Sequence, residues 1–131
     1  MKSLNQKKIL VVDDEELLRE IISEELSYYG AIVDNAENGK AALPLLQQNK
    51  YDALITDVRM PGGNGVELIK NITSLNIRPP VIFICSGFND LNADDLINLN
   101  IAYHFTKPFD REEFIKIITN YLNGLQKQST G

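Results

Sequence analysis

The sequence is poor in the residues that form covalent or metal cross-links. Its 131 residues include one cysteine, one histidine and no tryptophan. A single cysteine excludes both an intrachain disulfide and a cysteine-based metal cage, because each needs more than one thiol. Since the neighbours of Cys85 are apolar, we expect this residue to fill space in the hydrophobic core.

Positive charge and long apolar runs are also scarce. The chain carries 13 Lys and Arg residues against 18 Asp and Glu residues, for a formal net charge of −5. No basic stripe is long enough to track a phosphate backbone, so nucleic acid is not expected as a direct partner. The longest apolar runs fall far short of the roughly 20 residues that span a bilayer, and the polar N-terminus lacks a signal-peptide core. We therefore expect a cytoplasmic protein without a membrane segment.

The composition is otherwise that of a folded globular protein, with 44% hydrophobic and 24% charged residues. The length is close to the commonest size of one domain, so we expect a single unit with one hydrophobic core. We predict that this domain covers residues 1–124. Residues 125–131 are polar and aperiodic, and we expect them to form a tail or the start of a linker.

Short apolar runs alternate with segments of helical periodicity. The runs lie at residues 8–12, 31–35, 53–56, 80–85 and 102–106. Apolar runs of strand length that are separated by helices predict an α/β fold. In such a fold a doubly wound parallel sheet, here of five strands, carries helices on both faces.

Capping and breaking residues place three of the helices. An apolar stripe predicts the first at residues 15–29, with Gly30 just past its end. Asn38 is a suitable cap for the second, but Pro44 would fall inside it, which predicts a kink or a late start. Asp110 followed by Glu113 resembles a capping box and predicts the last helix, whose apolar face closes the sheet.

Two further helices carry fewer signals. Apolar residues within 67–72 predict the third helix after a turn at residues 61–65, and residues 92–99 form a short, weakly patterned fourth. The turn contains glycine at positions 62, 63 and 65, but without the spacing of a phosphate-cradling loop. We interpret these glycines as permitting positive φ before the third helix.

Polar residues follow four of the five apolar runs. Asp13 and Asp14 follow the first run, Asp57 the third, Ser86 the fourth and Lys107 the fifth. Ligands of parallel α/β sheets bind beyond the carboxyl ends of the strands. The sequence therefore predicts that these residues line one polar site.

The predicted site is rich in negative charge. If the first and third strands are neighbours, three carboxylates meet in a small volume. They cannot all stay ionised without compensation, so either some are protonated or a cation neutralises them. An all-oxygen site with few protein ligands suits Mg²⁺. With Mg²⁺ and Lys107 present, the formal charges of the site sum to zero.

Four segments resemble the motifs of response-regulator receiver domains. They are ILVVDDE at residues 9–15, DVRMPG at 57–62, VIFICSG at 81–87 and TKPF at 106–109. Their order and spacing are similar to those of the family over nearly the whole chain. The resemblance implies that residues 1–124 are a receiver domain, with a flavodoxin-like sheet of strand order 2-1-3-4-5 and five helices.

The same resemblance implies a phosphoryl-transfer chemistry. Asp57 would accept a phosphoryl group from the phosphohistidine of a sensor histidine kinase or phosphotransfer protein, in a Mg²⁺-dependent reaction. Asp14, Asp57 and the backbone carbonyl of Arg59 would hold the ion, and Asp13 would assist through water. Lys107 would pair with the phosphoryl oxygens.

The resemblance also implies a conformational response. Ser86 resembles the hydroxyl that moves toward the phosphorylated site and shifts a surface formed by the fourth helix, fifth strand and fifth helix; homodimers of the family can use that surface. The position three residues before the lysine, usually aromatic, is His104, which we interpret as a packed or half-exposed strand residue. Arg59 and Phe88 occupy positions that tune phosphate lifetime in the family.

Two other functions share parts of this pattern. A hydrolase that forms an aspartyl-phosphate on Asp57 would need a second carboxylate two residues later, where this chain has Arg59. An interaction module with the same fold but no phosphorylation would not need the acidic residues, Ser86 and Lys107 together. We therefore predict a stoichiometric phosphoacceptor, with slow self-dephosphorylation at most, rather than an enzyme.

Overall fold

The computed structural model describes residues 3–60, 64–87 and 100–124. The described elements, in chain order, are β1 (Lys8–Val12), α1 (Glu16–Tyr28), β2 (Ile32–Ala36), α2 (Gly39–Gln48), β3 (Ala53–Asp57), α3 (Gly65–Ser74), β4 (Val81–Ser86), β5 (Tyr103–Thr106) and α4 (Arg111–Leu122). The predicted fourth helix at 92–99 and the tail at 125–131 lie outside the described residues, so the predicted fifth helix is labelled α4. None of the helices described has the length and apolar character needed to cross a bilayer.

The five strands form one parallel sheet in the order β2-β1-β3-β4-β5. This confirms the predicted fold. Strand bounds differ from the prediction by one residue at most, and Asp57 and Ser86 are the last residues of β3 and β4 rather than the first residues after them. Val12 of β1 pairs with Thr56 of β3. Asp13 and Asp57 therefore leave the sheet side by side.

Apolar cores cover both faces of the sheet. Along β1, Leu10 and Val12 belong to a core that includes buried residues of α2 and α3, whereas Ile9 and Val11 belong to one that includes buried residues of α1 and α4. Alternate side chains of a strand point to opposite faces, so a strand covered on both sides must be apolar throughout. Cys85 is buried in the second core, as predicted.

The backbone conformation just after α1 favours glycine at position 30. Gly30 has a φ of 100°, a left-handed conformation that glycine adopts without steric cost. The Gly30 N–H donates to the Ser27 carbonyl at 2.9 Å and the Ala31 N–H donates to the Leu26 carbonyl at 3.2 Å. This pair of hydrogen bonds is a Schellman motif, and it confirms the predicted end of the helix.

Two predicted caps are also present. The side chain of Asn38 accepts the N–H of Ala41 at 2.8 Å, and that of Asp110 accepts the N–H of Glu113 at 3.0 Å. The late start expected for the second helix is wrong, because α2 begins at Gly39 and contains Pro44. Packing of the buried face of α2 against the sheet outweighs the one backbone hydrogen bond that the proline removes.

Gly65 has a different role from the one predicted. It is the first residue of α3, after the cap Asn64, and not a turn residue with positive φ. Its N–H donates to the Val58 carbonyl at 2.9 Å. A Cβ atom at this position would lie 2.1 Å from the Asp57 carbonyl oxygen. Glycine is thus required here by the close approach of α3 to the end of β3; positions 62 and 63 lie outside the described residues.

Replacing Gly65 with Ala should lower the free energy of unfolding by about 1–3 kcal/mol, the usual cost of overpacking. Helix propensity acts in the opposite direction, because Ala is about 1 kcal/mol better than Gly inside a helix. Urea unfolding measures the change, with Asn71→Ala at an exposed position of α3 as a near-neutral control. An unchanged or raised stability of Gly65→Ala would contradict the close contact.

Candidate functional site

Three carboxylates meet at the carboxyl edge of the sheet. Asp13 and Asp14 follow β1 and Asp57 ends β3, and one oxygen of each lies within 4.8 Å of the others. Asp13 is 2% and Asp57 7% exposed, whereas Asp14 is open to solvent. The structure therefore brings the three predicted carboxylates into one acidic cluster that is accessible from one side.

Lys107 reaches this acidic cluster from β5. Its Nζ lies 3.2 Å from Asp57 Oδ2 and 3.4 Å from Asp13 Oδ2. Its backbone N–H donates to the Ser86 carbonyl at 2.7 Å, which extends the β4–β5 pairing one residue past β5. Because β4 separates β5 from β3, a long side chain is needed to span the distance. The ammonium group also lies 3.9 Å from Glu15, an exposed residue whose contribution solvent weakens.

Both buried carboxylates are held by backbone groups as well. Oδ1 of Asp13 accepts the N–H of Glu15 at 2.9 Å, and Oδ1 of Asp57 accepts the N–H of Val58 at 2.8 Å. The Oδ2 atom of each carboxylate faces Lys107. These contacts fix one oxygen of Asp57 on the backbone and leave the other for ionic contacts.

The two remaining predicted site residues, Arg59 and Ser86, lie close to the ends of β3 and β4 in the sequence. Arg59 is exposed, two residues after Asp57. Ser86 is fully buried at the end of β4, one residue beyond Cys85, the register partner of Asp57. Its hydroxyl forms a hydrogen bond with Nε2 of His104 on β5. Within the described part of the chain, no hydrogen bond joins the Ser86 side chain to the acidic cluster.

The oxygen ligands of the acidic cluster fit a hard divalent cation. Carboxylate oxygens are the protein ligands that Mg²⁺ and Ca²⁺ prefer. Among the described residues, Lys107 places one ammonium group against Asp13 and Asp57 of this three-carboxylate cluster, so a bound cation would add further positive charge. Asp13, Asp14 and Asp57 can therefore hold a metal ion.

Comparison with known families decides what this arrangement is. The family model for the response regulator receiver domain matches residues 9–119. This chain belongs to the response regulator receiver family.

Curated relatives of this receiver domain include both short and long proteins. The transcriptional regulatory protein CrdR of Helicobacter pylori is 35% identical over 119 residues, which are 90% of this chain and 56% of that protein. Sporulation initiation phosphotransferase F of Bacillus subtilis is 30% identical over 88% of this chain and 94% of its own length. The chain thus spans about half of one relative and nearly all of the other. It covers 26% of the DNA-binding transcriptional regulator NtrC of Escherichia coli.

Solved structures agree with the fold. A response regulator receiver domain protein from Clostridium thermocellum superposes with a TM-score of 0.80 at 27% identity, covering 93% of this chain and 98% of its own. The chemotaxis response regulator CheY4 of Vibrio cholerae gives a TM-score of 0.80 at 25% identity, covering 88% and 98%. The receiver fold therefore extends over most of this chain.

Burial and neighbouring charges shift the pKa values of two groups in the receiver site. Burial raises the pKa of Asp57 above the ordinary value, Lys107 partly opposes this shift and Asp13 adds to it. Burial lowers the pKa of Lys107, but the carboxylates of Asp13 and Asp57 outweigh burial, so that the net shift is upward. Lys107 is consequently protonated at neutral pH, and its charge alone does not offset the cost of ionising Asp57.

Sequence reasoning missed three residues that shape the receiver site. Arg19 Nη1 donates to the Asp13 carbonyl oxygen at 2.6 Å, and Gly65 makes room for the Asp57 backbone. His104 binds the Ser86 hydroxyl. The contacts of Arg19 and Gly65 are with backbone atoms and leave no signal in the sequence. His104 was visible only as an unusual residue at a position that is aromatic in the family.

Replacing Asp57 with Asn should stabilise the domain at neutral pH in the absence of divalent cations. The folded-state pKa of Asp57 is raised above its ordinary value of 3.8, so the folded state loses stability as the pH rises from that value toward the folded pKa. Asn removes this charge and keeps an oxygen that can accept the Val58 N–H. Urea unfolding in chelator at a series of pH values measures the difference.

At pH 7 the free energy of unfolding of Asp57→Asn should exceed that of the wild type. The two values should converge as the pH falls below the ordinary pKa of an Asp side chain. Glu20→Gln, on the exposed side of α1, controls for removal of a surface carboxylate. A wild type that is more stable than Asp57→Asn at pH 7 would show that Lys107 compensates the buried charge fully.

Proposed function

We propose that Asp57 accepts a phosphoryl group in a Mg²⁺-dependent, stoichiometric reaction, from the phosphohistidine of a sensor histidine kinase or phosphotransfer protein. Receiver domains interact with such partners, and this chain belongs to that family. The observation that carries the proposal is the 3.2 Å contact between Asp57 Oδ2 and Lys107 Nζ inside the acidic cluster. This contact places a carboxylate that could accept a phosphoryl group next to its counter-charge, and beside carboxylates that can hold a cation.

Exposure and the distance to Lys107 favour Asp57 over its two neighbours as the acceptor. Asp13 and Asp57 each have one oxygen on a backbone N–H and the other on Lys107, but Asp13 is 2% exposed and Asp57 7%. Asp57 Oδ2 also lies closer to Lys107 Nζ, at 3.2 Å against 3.4 Å for Asp13 Oδ2. Asp14 is exposed and suits a ligand that would meet an ion from the solvent side.

The reaction needs positioning and charge neutralisation more than proton transfer. A carboxylate oxygen of Asp57 attacks phosphorus, the bond from phosphorus to the donor imidazole nitrogen breaks, and the electron pair stays on that nitrogen. The product replaces one negative charge with about two. Lys107 pairs with the added charge, since its ammonium already faces this oxygen. Mg²⁺, held by Asp13, Asp14, Asp57 and the Arg59 carbonyl, would orient the phosphoryl group and neutralise its oxygens.

The response to phosphorylation is proposed to pass through Ser86. Its hydroxyl would turn toward the phosphoryl group and bias the surface made by β5, α4 and the helix predicted at 92–99. Tyr103 supports the view that this surface is available to a partner, because the residue is 37% exposed. Its ring centroid lies 6.4 Å from that of Tyr121 on α4. The same surface is our candidate for homodimer contacts.

The remaining assignments are proposals of the same kind. We propose a receiver domain over residues 1–124, since α4 ends at Leu122 and Gly124 follows with a φ of 73°, and a tail or linker at 125–131. The net charge of −5 supports a domain that does not itself bind nucleic acid, although relatives include DNA-binding regulators. Kinases make phosphohistidine from ATP inside the cell, which supports a cytoplasmic location. Arg59 in place of a second carboxylate supports a non-enzymatic acceptor.

Incubation with Mg²⁺ and acetyl phosphate tests the acceptor assignment. Intact mass should show the gain of one phosphoryl group on the wild type and none on Asp57→Asn. Lys107→Ala should keep part of the labelling but lose the shift of β5 and α4 resonances in NMR spectra, because the phosphoryl oxygens then lack their counter-charge. Asp52→Asn, a carboxylate at the opposite edge of the sheet that accepts the Lys8 N–H, should label normally.

Three outcomes would contradict the proposal in different ways. Unchanged labelling of Asp57→Asn would refute the site. No adduct on the wild type would favour an interaction module that works without phosphorylation. Catalytic release of phosphate from simple phosphomonoesters would favour a hydrolase.

A further inference from the structure

Ser86 and His104 form a hydrogen bond between neighbouring strands. In the register of β4 and β5, Ile84 pairs with His104 and Ser86 pairs with Thr106. Ser86 and His104 are therefore diagonal neighbours whose side chains share one face of the sheet. Ser86 is fully buried and His104 is half-buried, and the bond joins the Ser86 hydroxyl to His104 Nε2.

The burial of Ser86 sets the direction of this hydrogen bond. A buried hydroxyl needs an acceptor for its single proton, and within the described residues His104 is the side chain that offers one. Burial lowers the pKa of His104, which favours the neutral imidazole that can accept at Nε2. These two observations favour the arrangement in which the Ser86 O–H donates to Nε2 and the proton of a neutral His104 lies on Nδ1.

One proton cannot serve two acceptors, so this bond competes with any phosphoryl oxygen for the Ser86 hydroxyl. We propose that His104 is a positioning residue that holds the Ser86 hydroxyl in the unphosphorylated state and thereby raises the threshold for the conformational response. The inference rests on the proposed function and adds to it a contact that opposes the movement of the Ser86 hydroxyl. A hydrocarbon ring at position 104 would offer no nitrogen acceptor and would leave the hydroxyl free to turn.

The competition has a measurable consequence. Removing the acceptor leaves a buried donor unsatisfied in the unphosphorylated state, which raises the free energy of that state. A phosphoryl group that accepts the Ser86 proton is then bound more favourably, because no hydrogen bond to residue 104 has to be broken when the hydroxyl turns. Substitutions of His104 should therefore act on phosphoryl binding only when Ser86 is present.

Beryllofluoride with Mg²⁺ is a suitable probe, because it mimics an aspartyl-bound phosphoryl group without turnover. Its affinity would be measured by NMR titration for the wild type, His104→Phe and His104→Gln. The same three residues at position 104 would then be compared in proteins that also carry Ser86→Ala. His104→Phe should bind roughly two- to tenfold more tightly than the wild type, the equivalent of one hydrogen bond. His104→Gln keeps a neutral acceptor of similar reach and should behave like the wild type. Asn71→Ala, at an exposed position of α3 outside the surface around β5 and α4, should have no effect.

In the Ser86→Ala background the three residues at position 104 should give equal affinities. If His104→Phe raised the beryllofluoride affinity by the same factor in that background, His104 would act through packing and the inference would be overturned. An unchanged affinity of His104→Phe in the presence of Ser86 would also overturn it. Failure of the wild type to bind beryllofluoride would overturn the phosphoacceptor assignment and this inference with it. A double-mutant cycle on the free energy of unfolding tests the bond without any probe, and zero coupling between positions 86 and 104 would also overturn the inference.

Discussion

The central constraint on this protein is electrostatic: in the described part of the chain, three carboxylates share one edge of a parallel sheet with the ammonium group of Lys107. The pairing of Val12 with Thr56 places Asp13 and Asp57 side by side, and the cores on both faces keep those strand ends fixed. Ionised carboxylates at this distance repel one another. Much of the surrounding structure can be understood as the means of holding this unfavourable arrangement in place.

Several contacts hold the site without being part of its chemistry. The ladder bond from the Lys107 N–H to the Ser86 carbonyl brings the lysine side chain back over β4 toward β3. Gly65 lets α3 start against the Asp57 carbonyl, and the Arg19 side chain donates to the Asp13 carbonyl. Burial raises the pKa of Asp57 and Lys107 opposes that shift only in part, so the ionised carboxylate keeps an electrostatic cost. That residual cost is what makes the acidic cluster receptive to a cation.

The fold and the membership of the acidic cluster were predictable because both depend on local patterns. Buried parallel strands are apolar on both faces, so they appear in the sequence as continuous apolar runs. The first polar residue after each run marks the end of the strand, where the site lies. Asp13, Asp57 and Lys107 were found in this way. The strand order followed only from the family motifs, because alternation of strands and helices is compatible with several orders.

The remaining features depend on tertiary contacts that no short pattern encodes. Local rules predicted a kink or a late start of the second helix because of Pro44, but the helix begins at Gly39 and continues through Pro44 with one face buried. Gly65 was interpreted through its backbone conformation, whereas the structure shows that the missing Cβ matters. The bond between Ser86 and His104 requires both the register of β4 with β5 and the side-chain directions. Such contacts shape the site through tertiary structure rather than through sequence pattern.

Calorimetric titration with Mg²⁺ at neutral pH, in the absence of any phosphodonor, tests the electrostatic claim most directly. One Mg²⁺ should bind per wild-type chain, and Asp14→Asn, which removes an exposed carboxylate and keeps the buried pair of Asp13 and Asp57, should bind it more weakly. A wild type that binds no Mg²⁺, or an Asp14→Asn variant that binds it equally well, would contradict the account.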